Sequence, residues 1–125
     1  AMECLELVGL KQFAYDRPGS IPYGMQRKLE LARALVSRPK LLLLDEPAAG
    51  LNPVEVEDFI DLLHRVKEER KLTILLIEHR LKVVTTLSHQ VYVLNFGELL
   101  TQGTPEEIQR NPKVVEAYMG EDEEE

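Results

Sequence analysis

The sequence has no tryptophan, a single cysteine and no apolar stretch long enough to cross a bilayer. The lone thiol, Cys4, excludes an internal disulfide and is typical of a protein of the reducing cytosol. A basic excess is also absent, because the formal net charge is −7. The last five residues, 121–125, are all acidic, so the rest of the chain is close to neutral. A nucleic-acid-binding role therefore has no electrostatic support, and residues 121–125 are predicted to form an acidic disordered tail.

None of the seven glycines is followed by lysine, so the phosphate-binding pattern GxxxxGK[ST] does not occur in this sequence. A loop of that kind supplies the backbone N–H groups that cradle the phosphates of a nucleotide. Its absence excludes a complete nucleotide site of the P-loop kind within these 125 residues.

The most informative stretch that is present covers residues 39–53, PKLLLLDEPAAGLNP. Its four consecutive leucines end in Asp45 and Glu46, and this pattern predicts a strand that is buried on both faces. Two adjacent carboxylates at the end of such a strand need hydration, pairing or a cation. A hydrated magnesium ion with a nucleotide phosphate would meet that need. The alternative is a strand that simply ends in a solvated Asp-Glu turn.

The flanking segments alternate between helical and strand patterns. A helix is predicted from about residue 24 to residue 37, with an apolar face of Met25, Leu29, Ala32, Leu35 and Val36. Asn52-Pro53-Val54-Glu55 predicts the start of a second helix that ends near Arg70 with a buried stripe of Val56, Phe59, Ile60, Leu63 and Val66. A second apolar strand follows at 72–77, which predicts a parallel βαβ unit. A short helix at 80–87, a hairpin at 91–102 and helices near the end complete an α/β fold with a mostly parallel sheet flanked by helices.

Three motifs now stand in one order: IPYGMQRKLELARAL at 21–35, LLLLDEPAAGLNP at 41–53 and TILLIEH at 73–79. Together they resemble the second half of the ATPase domain of ABC transporters. The segment from Ala48 to Pro53 and the later GTPEEIQRNPKVVEAYMG look most like the ATP-binding subunits of branched-chain amino-acid importers. The resemblance implies a partial P-loop NTPase fold over residues 1–120. Within it, residues 1–38 form the signature-helix region, 39–103 the sheet core and 104–120 the C-terminal helices.

The resemblance also implies a role for individual residues. Asp45 matches the Walker B aspartate that helps to hold magnesium, and Glu46 matches the general base that polarises the attacking water. His79 matches the switch histidine that contacts the γ-phosphate of ATP.

Two further segments match parts of the family that act across a dimer seam. Residues 21–25 match the signature motif, which reaches the nucleotide bound by the opposite subunit through Pro22, Tyr23, Gly24 and Met25. Residues 49–52 match the loop that crosses the seam, with Ala49, Gly50 and Asn52 as its nucleotide-facing members.

Four positions depart from the general family pattern. Pro22 stands where a serine often meets the γ-phosphate, Tyr23 replaces a glycine, Met25 a glutamine and Asn52 an aspartate. Tyr23 either lines the nucleotide surface or packs against the protein, and packing is the preferred interpretation. Arg27 and Arg33 are predicted to be solvated helix charges.

The resemblance places the family's phosphate loop, and the strand that carries it, upstream of Ala1. The chain is therefore expected to be a fragment or a partial gene product, in which ATP and Mg²⁺ bind weakly or not at all. The missing strand would lie beside residues 72–77, so this edge is predicted to be unpaired and prone to association. The expected partners are the missing N-terminal half or a second ATPase subunit, another copy of the chain, and transmembrane permease subunits. Binding to the permease subunits would place the protein in the cytoplasm, on the inner face of the membrane.

Three functions remain open from sequence alone. The first is the ATP-hydrolysing part of an importer subunit for branched-chain amino acids. The second is a catalytically inert module that keeps the fold and docks on a partner ATPase or a membrane subunit. The third, the C-terminal lobe of a chromosome-maintenance ATPase, is disfavoured because no heptad repeat leads into residue 1 and the body of the chain is not basic.

Overall fold

The computed structural model describes residues 1–119, and these form two compact units. The first unit spans Ala1–Leu76 and the second begins at Ile77. The acidic tail predicted for residues 121–125 lies outside the described residues.

The first unit contains three α-helices, two strands and two short 3₁₀ turns among its described residues. In chain order these are α1 (Met2–Leu7), the 3₁₀ turns Lys11–Phe13 and Pro18–Ser20, α2 (Tyr23–Leu35), β1 (Leu41–Asp45), α3 (Pro53–Arg70) and β2 (Thr73–Ile77). The last residue of β2, Ile77, is also the first residue of the second unit. Strands β1 and β2 pair in parallel, and α3 connects them. The pairing begins just before β1, where Thr73 N donates to Lys40 O at 3.0 Å. The predicted βαβ unit and the α/β fold class are thus confirmed.

Helix α3 begins where its capping residues predicted. Asn52 Oδ1 accepts from Glu55 N at 2.8 Å, while Glu55 Oε2 accepts from Asn52 N at 3.0 Å, which closes a capping box. All five residues of the predicted stripe are buried, and Leu62 joins them. Lys71 ends the helix with a φ of 52°, in the left-handed region.

Helix α2 packs a slightly different face from the predicted one. Its buried residues are Leu31, Ala32 and Leu35. Leu31 was absent from the predicted face, and Val36, which was included, is 51% exposed. Val36 is the C-cap of the helix, and its N–H still donates to Ala32 O at 3.2 Å. It lies about 100° around the helix axis from Leu35, so its side chain is at the margin of the packed face.

The prediction that β1 is buried on both faces is wrong for this structure. Leu42 is buried, whereas its neighbours Leu41 and Leu43 are 53% and 64% exposed. Strand β2 alternates in the same way, and Leu75 is 58% exposed. Among residues 1–119 each of these strands has one hydrogen-bonded neighbour. One face of the pair therefore contributes to the packed core, and the other presents leucines to solvent.

The second unit is built around a hairpin. Its elements are α4 (Leu81–Leu87), β3 (Val91–Asn95), β4 (Glu98–Gly103), α5 (Pro105–Arg110), α6 (Pro112–Val114) and a π-helical turn at Val115–Met119. Strands β3 and β4 are antiparallel, and the two residues between them have positive φ, 50° at Phe96 and 78° at Gly97. That geometry matches the twist of paired strands, as the predicted hairpin turn requires. The core of this unit consists of Leu81, Val91, Val93, Ile108 and Val114.

A membrane-spanning helix, which needs a long and predominantly apolar stretch, does not occur between residues 1 and 119.

The capping box gives a direct test of how α3 is held. Asn52→Ala removes the side-chain acceptor, so the free energy of unfolding is expected to fall by about 1 kcal/mol. Asn52→Asp keeps an acceptor oxygen at the same position and is the matched control. Urea denaturation followed by far-UV circular dichroism measures both. Equal stability of the Ala and Asp variants would show that the cap does not stabilise α3.

Candidate functional site

The predicted acidic pair lies at the carboxyl end of β1. Asp45 is the last residue of the strand, Glu46 follows it, and both are exposed. Glu46 has a φ of 46°, in the left-handed region that residues other than glycine seldom adopt. Such a conformation costs about 1–2 kcal/mol, so the surrounding contacts have to hold it. Both carboxylates thus stand where a ligand can reach them.

The loop of residues 46–52 connects this acidic pair to α3. Ala49 N donates to Glu46 O at 3.1 Å, and Leu51 N donates to Ala48 O at 3.2 Å. Ala48 and Leu51 are buried, and they attach the loop to the core. Gly50 has a φ of 80°, which favours glycine. Two consecutive turns therefore carry the chain from the acidic pair to the Asn52 cap.

The start of α2 contacts this loop through polar groups. Tyr23 Oη donates to Ala49 O at 3.3 Å, and Arg27 Nη2 donates to the same oxygen at 3.3 Å. Arg27 Nη2 also donates to Tyr23 Oη at 2.7 Å, and its guanidinium carbon lies 5.2 Å from the centroid of that ring. A Cβ atom added to Gly50 would approach Tyr23 Cε1 to 3.0 Å. The start of α2 and the loop of residues 46–52 are therefore in direct contact.

Arg27 is held on both sides of its guanidinium group. Its Nη1 pairs with Glu30 Oε2 at 3.2 Å, and its side chain is 23% exposed. Burial disfavours the charge of Arg27, but hydrogen bonds and Coulombic attraction to Tyr23 and Glu30 outweigh this and raise its pKa. Its Nε is buried and has no hydrogen-bond partner among residues 1–119. The prediction that Arg27 is a solvated helix charge is wrong, because the residue bonds across to the loop.

Gly24 faces the first turn of α3. A Cβ atom at Gly24 would meet Glu55 Cδ and Oε1 at 3.1 Å. The Glu55 carboxylate therefore lies beside the N-terminal turn of α2, where the helix dipole favours negative charge. Any anion approaching this turn meets the Glu55 carboxylate. The same region opens into a cavity of about 160 Å³, lined by Pro22, Gly24, Met25, Lys28, Leu51, Glu55, Asp58 and Phe59.

Among residues 1–119, the acidic and histidine side chains do not form a metal site by themselves. Within the described part of the chain, no group of three or more His, Cys, Asp or Glu side chains is placed to hold a metal ion. Asp45 and Glu46 nevertheless offer carboxylate oxygens, which Mg²⁺ prefers, and Mg²⁺ commonly takes its remaining ligands from water and phosphate. The acidic pair thus fits a magnesium ion that arrives with a nucleotide.

The remaining predicted site residue, His79, belongs to the second unit and is exposed. It follows β2 after one intervening residue, Glu78. That His79 shares a site with Asp45 and Glu46 stays a prediction.

Sequence reasoning missed the two charged residues that organise the start of α2. Arg27 follows Tyr23 by four positions, so both lie on one side of the helix, and this spacing could have suggested a joint contact. Glu55 was recognised as a capping residue of α3. Its second contact, beside Gly24, depends on tertiary packing and leaves no signal in the local sequence.

Two protein families match parts of the chain. A family described as "ABC transporter" matches residues 1–49, and a family described as "Branched-chain amino acid ATP-binding cassette transporter" matches residues 98–124.

Among curated proteins, the high-affinity branched-chain amino acid transport ATP-binding protein BraF of Pseudomonas aeruginosa is 48% identical over 121 residues, which is 97% of this chain and 48% of BraF. The protein LivG of Escherichia coli, whose name describes the same transport role, is 47% identical over 94% of this chain and 46% of LivG. The chain thus spans about half the length of the curated relatives it matches.

Solved structures agree with these matches. MJ1267, an ATP-binding cassette of an ABC transporter in its ADP conformation, has a TM-score of 0.85 and 31% identity over 95% of this chain and 48% of its own. The protein cbiO1 of Clostridium perfringens, part of the ABC transporter complex cbiONQ, has a TM-score of 0.81 and 29% identity over 92% of this chain and 46% of its own. Both likenesses agree with the predicted P-loop NTPase fold. On these matches, the chain belongs to the ABC transporter ATP-binding family, and the curated relatives that it matches are named as branched-chain amino acid transport proteins.

Proposed function

We propose that this chain supplies half of an ATP-hydrolysing subunit of an ABC importer for branched-chain amino acids. The observation that carries the proposal is the 48% identity to BraF over 97% of the chain. The exposed Asp45-Glu46 pair at the end of β1 supports it, because that is where the ligand crevice lies in open α/β sheets. Residues 1–120 would form the C-terminal half of the ATPase domain, divided at residues 38 and 103 as the resemblance implies.

Three residues would act on the nucleotide bound in the same subunit. Glu46 would accept a proton from the attacking water and orient that water in line with the γ-phosphate. His79 would donate a hydrogen bond to a phosphate oxygen. Asp45 would hold Mg²⁺, which neutralises negative charge on the phosphates when it is bound.

A second set of residues would act on the nucleotide of the opposite subunit. The start of α2, with Pro22, Tyr23, Gly24 and Met25, would present its positive dipole end to phosphate. Glu55 beside Gly24 would oppose the approach of an anion in the free chain. Ala49, Gly50 and Asn52 would lie along the seam between the subunits.

The remaining parts of the site would come from other polypeptide segments. A GxxxxGK[ST] loop would supply the backbone donors for the β- and γ-phosphates. Permease subunits would anchor the ATPase to the inner face of the membrane. The names of BraF and LivG, which describe transport ATP-binding proteins, support this arrangement.

A chimera tests the ATPase proposal. Residues 1–125 replace the matching segment of Pseudomonas aeruginosa BraF, and phosphate release from magnesium-ATP is measured. The chimera is expected to hydrolyse ATP, and the isolated chain is expected not to do so. Glu46→Gln keeps the size of the side chain but removes the base, so it should lower kcat by about 100-fold or more.

The matched control for this experiment is Glu69→Gln, which changes an exposed glutamate near the end of α3. BraF itself serves as the positive control. A folded chimera without hydrolysis would reject the ATPase role and favour the inert docking module. Equal activity of the Glu46→Gln and Glu69→Gln variants would reject Glu46 as the base.

We also propose that a segment outside residues 1–125 covers the open side of the β1–β2 pair, and that this is the half that carries the phosphate loop. The exposed leucines Leu41, Leu43 and Leu75 support the proposal, because an apolar strand with an open edge tends to pair with another chain. The matched solved cassettes, which are about twice as long as this chain, support it too.

In the absence of that half, the chain is expected to self-associate as its concentration rises. Leu75→Lys places a charge on the open strand and should shift the chain toward monomer, as measured by sedimentation velocity. Val54→Lys is the control, since Val54 is 71% exposed and belongs to α3, not to either strand. A wild-type chain that stays monomeric at all concentrations would contradict the proposal.

A further inference from the structure

The side chains of Tyr23 and Arg27 and the carbonyl of Ala49 form a polar contact, here called the clamp, between α2 and the loop of residues 46–52. We propose that Tyr23 and Arg27 are positioning residues. Through the clamp they fix the backbone of the loop, and with it the conformation of Glu46. The catalytic consequence rests on the proposed ATPase function, whereas the ordering of the loop does not.

The chemistry of the clamp requires a guanidinium group. Arg27 Nη2 donates both to Tyr23 Oη at 2.7 Å and to Ala49 O at 3.3 Å, while Nη1 is held by Glu30 at 3.2 Å. The planar fork of arginine can serve several acceptors at fixed angles, which the ammonium of lysine cannot reproduce. The Tyr23 ring, 5.2 Å from the guanidinium carbon, adds a cation–π contact. The Arg27 guanidinium is therefore fixed in orientation by its contacts with Tyr23, Glu30 and the Ala49 carbonyl.

The clamp adds a contact from α2 to the local turn bonds within the loop. Glu46 and Gly50 both have positive φ, and each of the two turn bonds spans three residues. Ala49 connects the clamp to Glu46. Its N–H donates to the carbonyl of Glu46, and its own carbonyl is the acceptor of the clamp. Tethering Ala49 therefore restrains the strained backbone of Glu46.

The Tyr23 ring packs against the loop backbone at Gly50. An added Cβ atom would come within 3.0 Å of Cε1 and 3.1 Å of Oη of that ring. A side chain at this position would therefore push the Tyr23 ring aside, and the positive φ of 80° also favours glycine. With the ring in this place, the Tyr23 hydroxyl and the Arg27 guanidinium both donate to the carbonyl of Ala49, the residue before Gly50.

In the proposed function the clamp connects residues that would act on two different nucleotides. Tyr23 belongs to the segment that would act on the nucleotide of the opposite subunit, whereas Glu46 would act within its own subunit. A change at either end would be transmitted through a single carbonyl oxygen. The clamp would then make the geometry of the base depend on whether the signature segment is docked.

Hydrogen exchange of the full 125-residue chain tests the clamp without a measurement of ATPase activity. Mass spectrometry of a peptide that contains residues 46–51 reports on the Ala49 and Leu51 amides. In Arg27→Gln these amides are expected to exchange about tenfold faster, since a charge-assisted hydrogen bond is lost. Tyr23→Phe keeps the ring but removes the hydroxyl, so it should give a smaller increase in the same peptide.

Arg33→Gln is the matched control, because Arg33 is an exposed arginine of the same helix. Exchange in a peptide covering the middle of α3, together with the urea midpoint, reports global stability. A similar loop exchange rate in Arg27→Gln and Arg33→Gln would overturn the proposal. An equal rise in every peptide would overturn it too, because it would indicate general destabilisation.

The BraF chimera separates this inference from the ATPase proposal. With an active chimera, Arg27→Gln is expected to lower kcat at least about tenfold, the loss of one charge-assisted bond, while KM changes little. A lowered kcat together with faster loop exchange supports both steps. An unchanged kcat with faster exchange would overturn the link to Glu46. An inactive parent chimera whose loop exchange responds as expected would reject the ATPase function and leave the ordering role of the clamp supported.

Discussion

The loop between β1 and α3 is the constraint on which the first unit depends. In residues 46–52 the chain leaves a strand, takes a left-handed step at Glu46 and enters an 18-residue helix with its cap already formed. The interactions that hold this path include the two turn bonds within the loop, burial of Ala48 and Leu51, the capping box at Asn52 and the clamp on Ala49. Each acts at a different point of the loop. Together they keep two carboxylates exposed at the end of β1 although the backbone beside them is strained.

The same unit is well packed on one side and open on the other. Helix α3 buries six residues along its stripe, and Leu42 of β1 is buried, yet alternate residues of both strands face solvent. An apolar strand face of this kind is unusual for a stable monomer. It is the expected state of a parallel strand pair when only one of its two covering layers is present. The match to about half of each relative is consistent with this interpretation.

Local signals predicted the elements of the structure well. The Asn52-Pro53-Val54-Glu55 sequence identified the start of α3, because capping depends on neighbours in the chain. The hairpin around Phe96 and Gly97 was predicted for the same reason. The burial of β1 was overestimated, since a run of leucines shows what a strand can bury and not what is available to cover it. The prediction that Val36 belongs to the packed face of α2 was wrong, because this C-cap residue lies at the margin of the face that Leu31, Ala32 and Leu35 form.

In the candidate site, too, sequence predicted features that depend on neighbouring residues and missed those that depend on packing. The apolar run of β1 predicted that Asp45 and Glu46 stand at the end of a strand, and the structure has them there. The loop after them was singled out by the family resemblance, and the roles of all these residues stay predictions. Sequence did not identify the contacts of Arg27 with Ala49 or of Glu55 with Gly24, which join residues about 20 to 30 positions apart through packing. Arginine on a helix is usually solvated, and only the approach of the loop makes this one a structural residue.

A crystal structure of the BraF chimera with Mg²⁺ and a non-hydrolysable ATP analogue tests the central claim most directly. The account predicts an Asp45 oxygen in the coordination sphere of the metal, directly or through one water. It also predicts Glu46 within hydrogen-bond reach of a water in line with the γ-phosphate, and His79 on a γ-phosphate oxygen. A nucleotide bound with Asp45, Glu46 and His79 facing away from its phosphates would contradict the account.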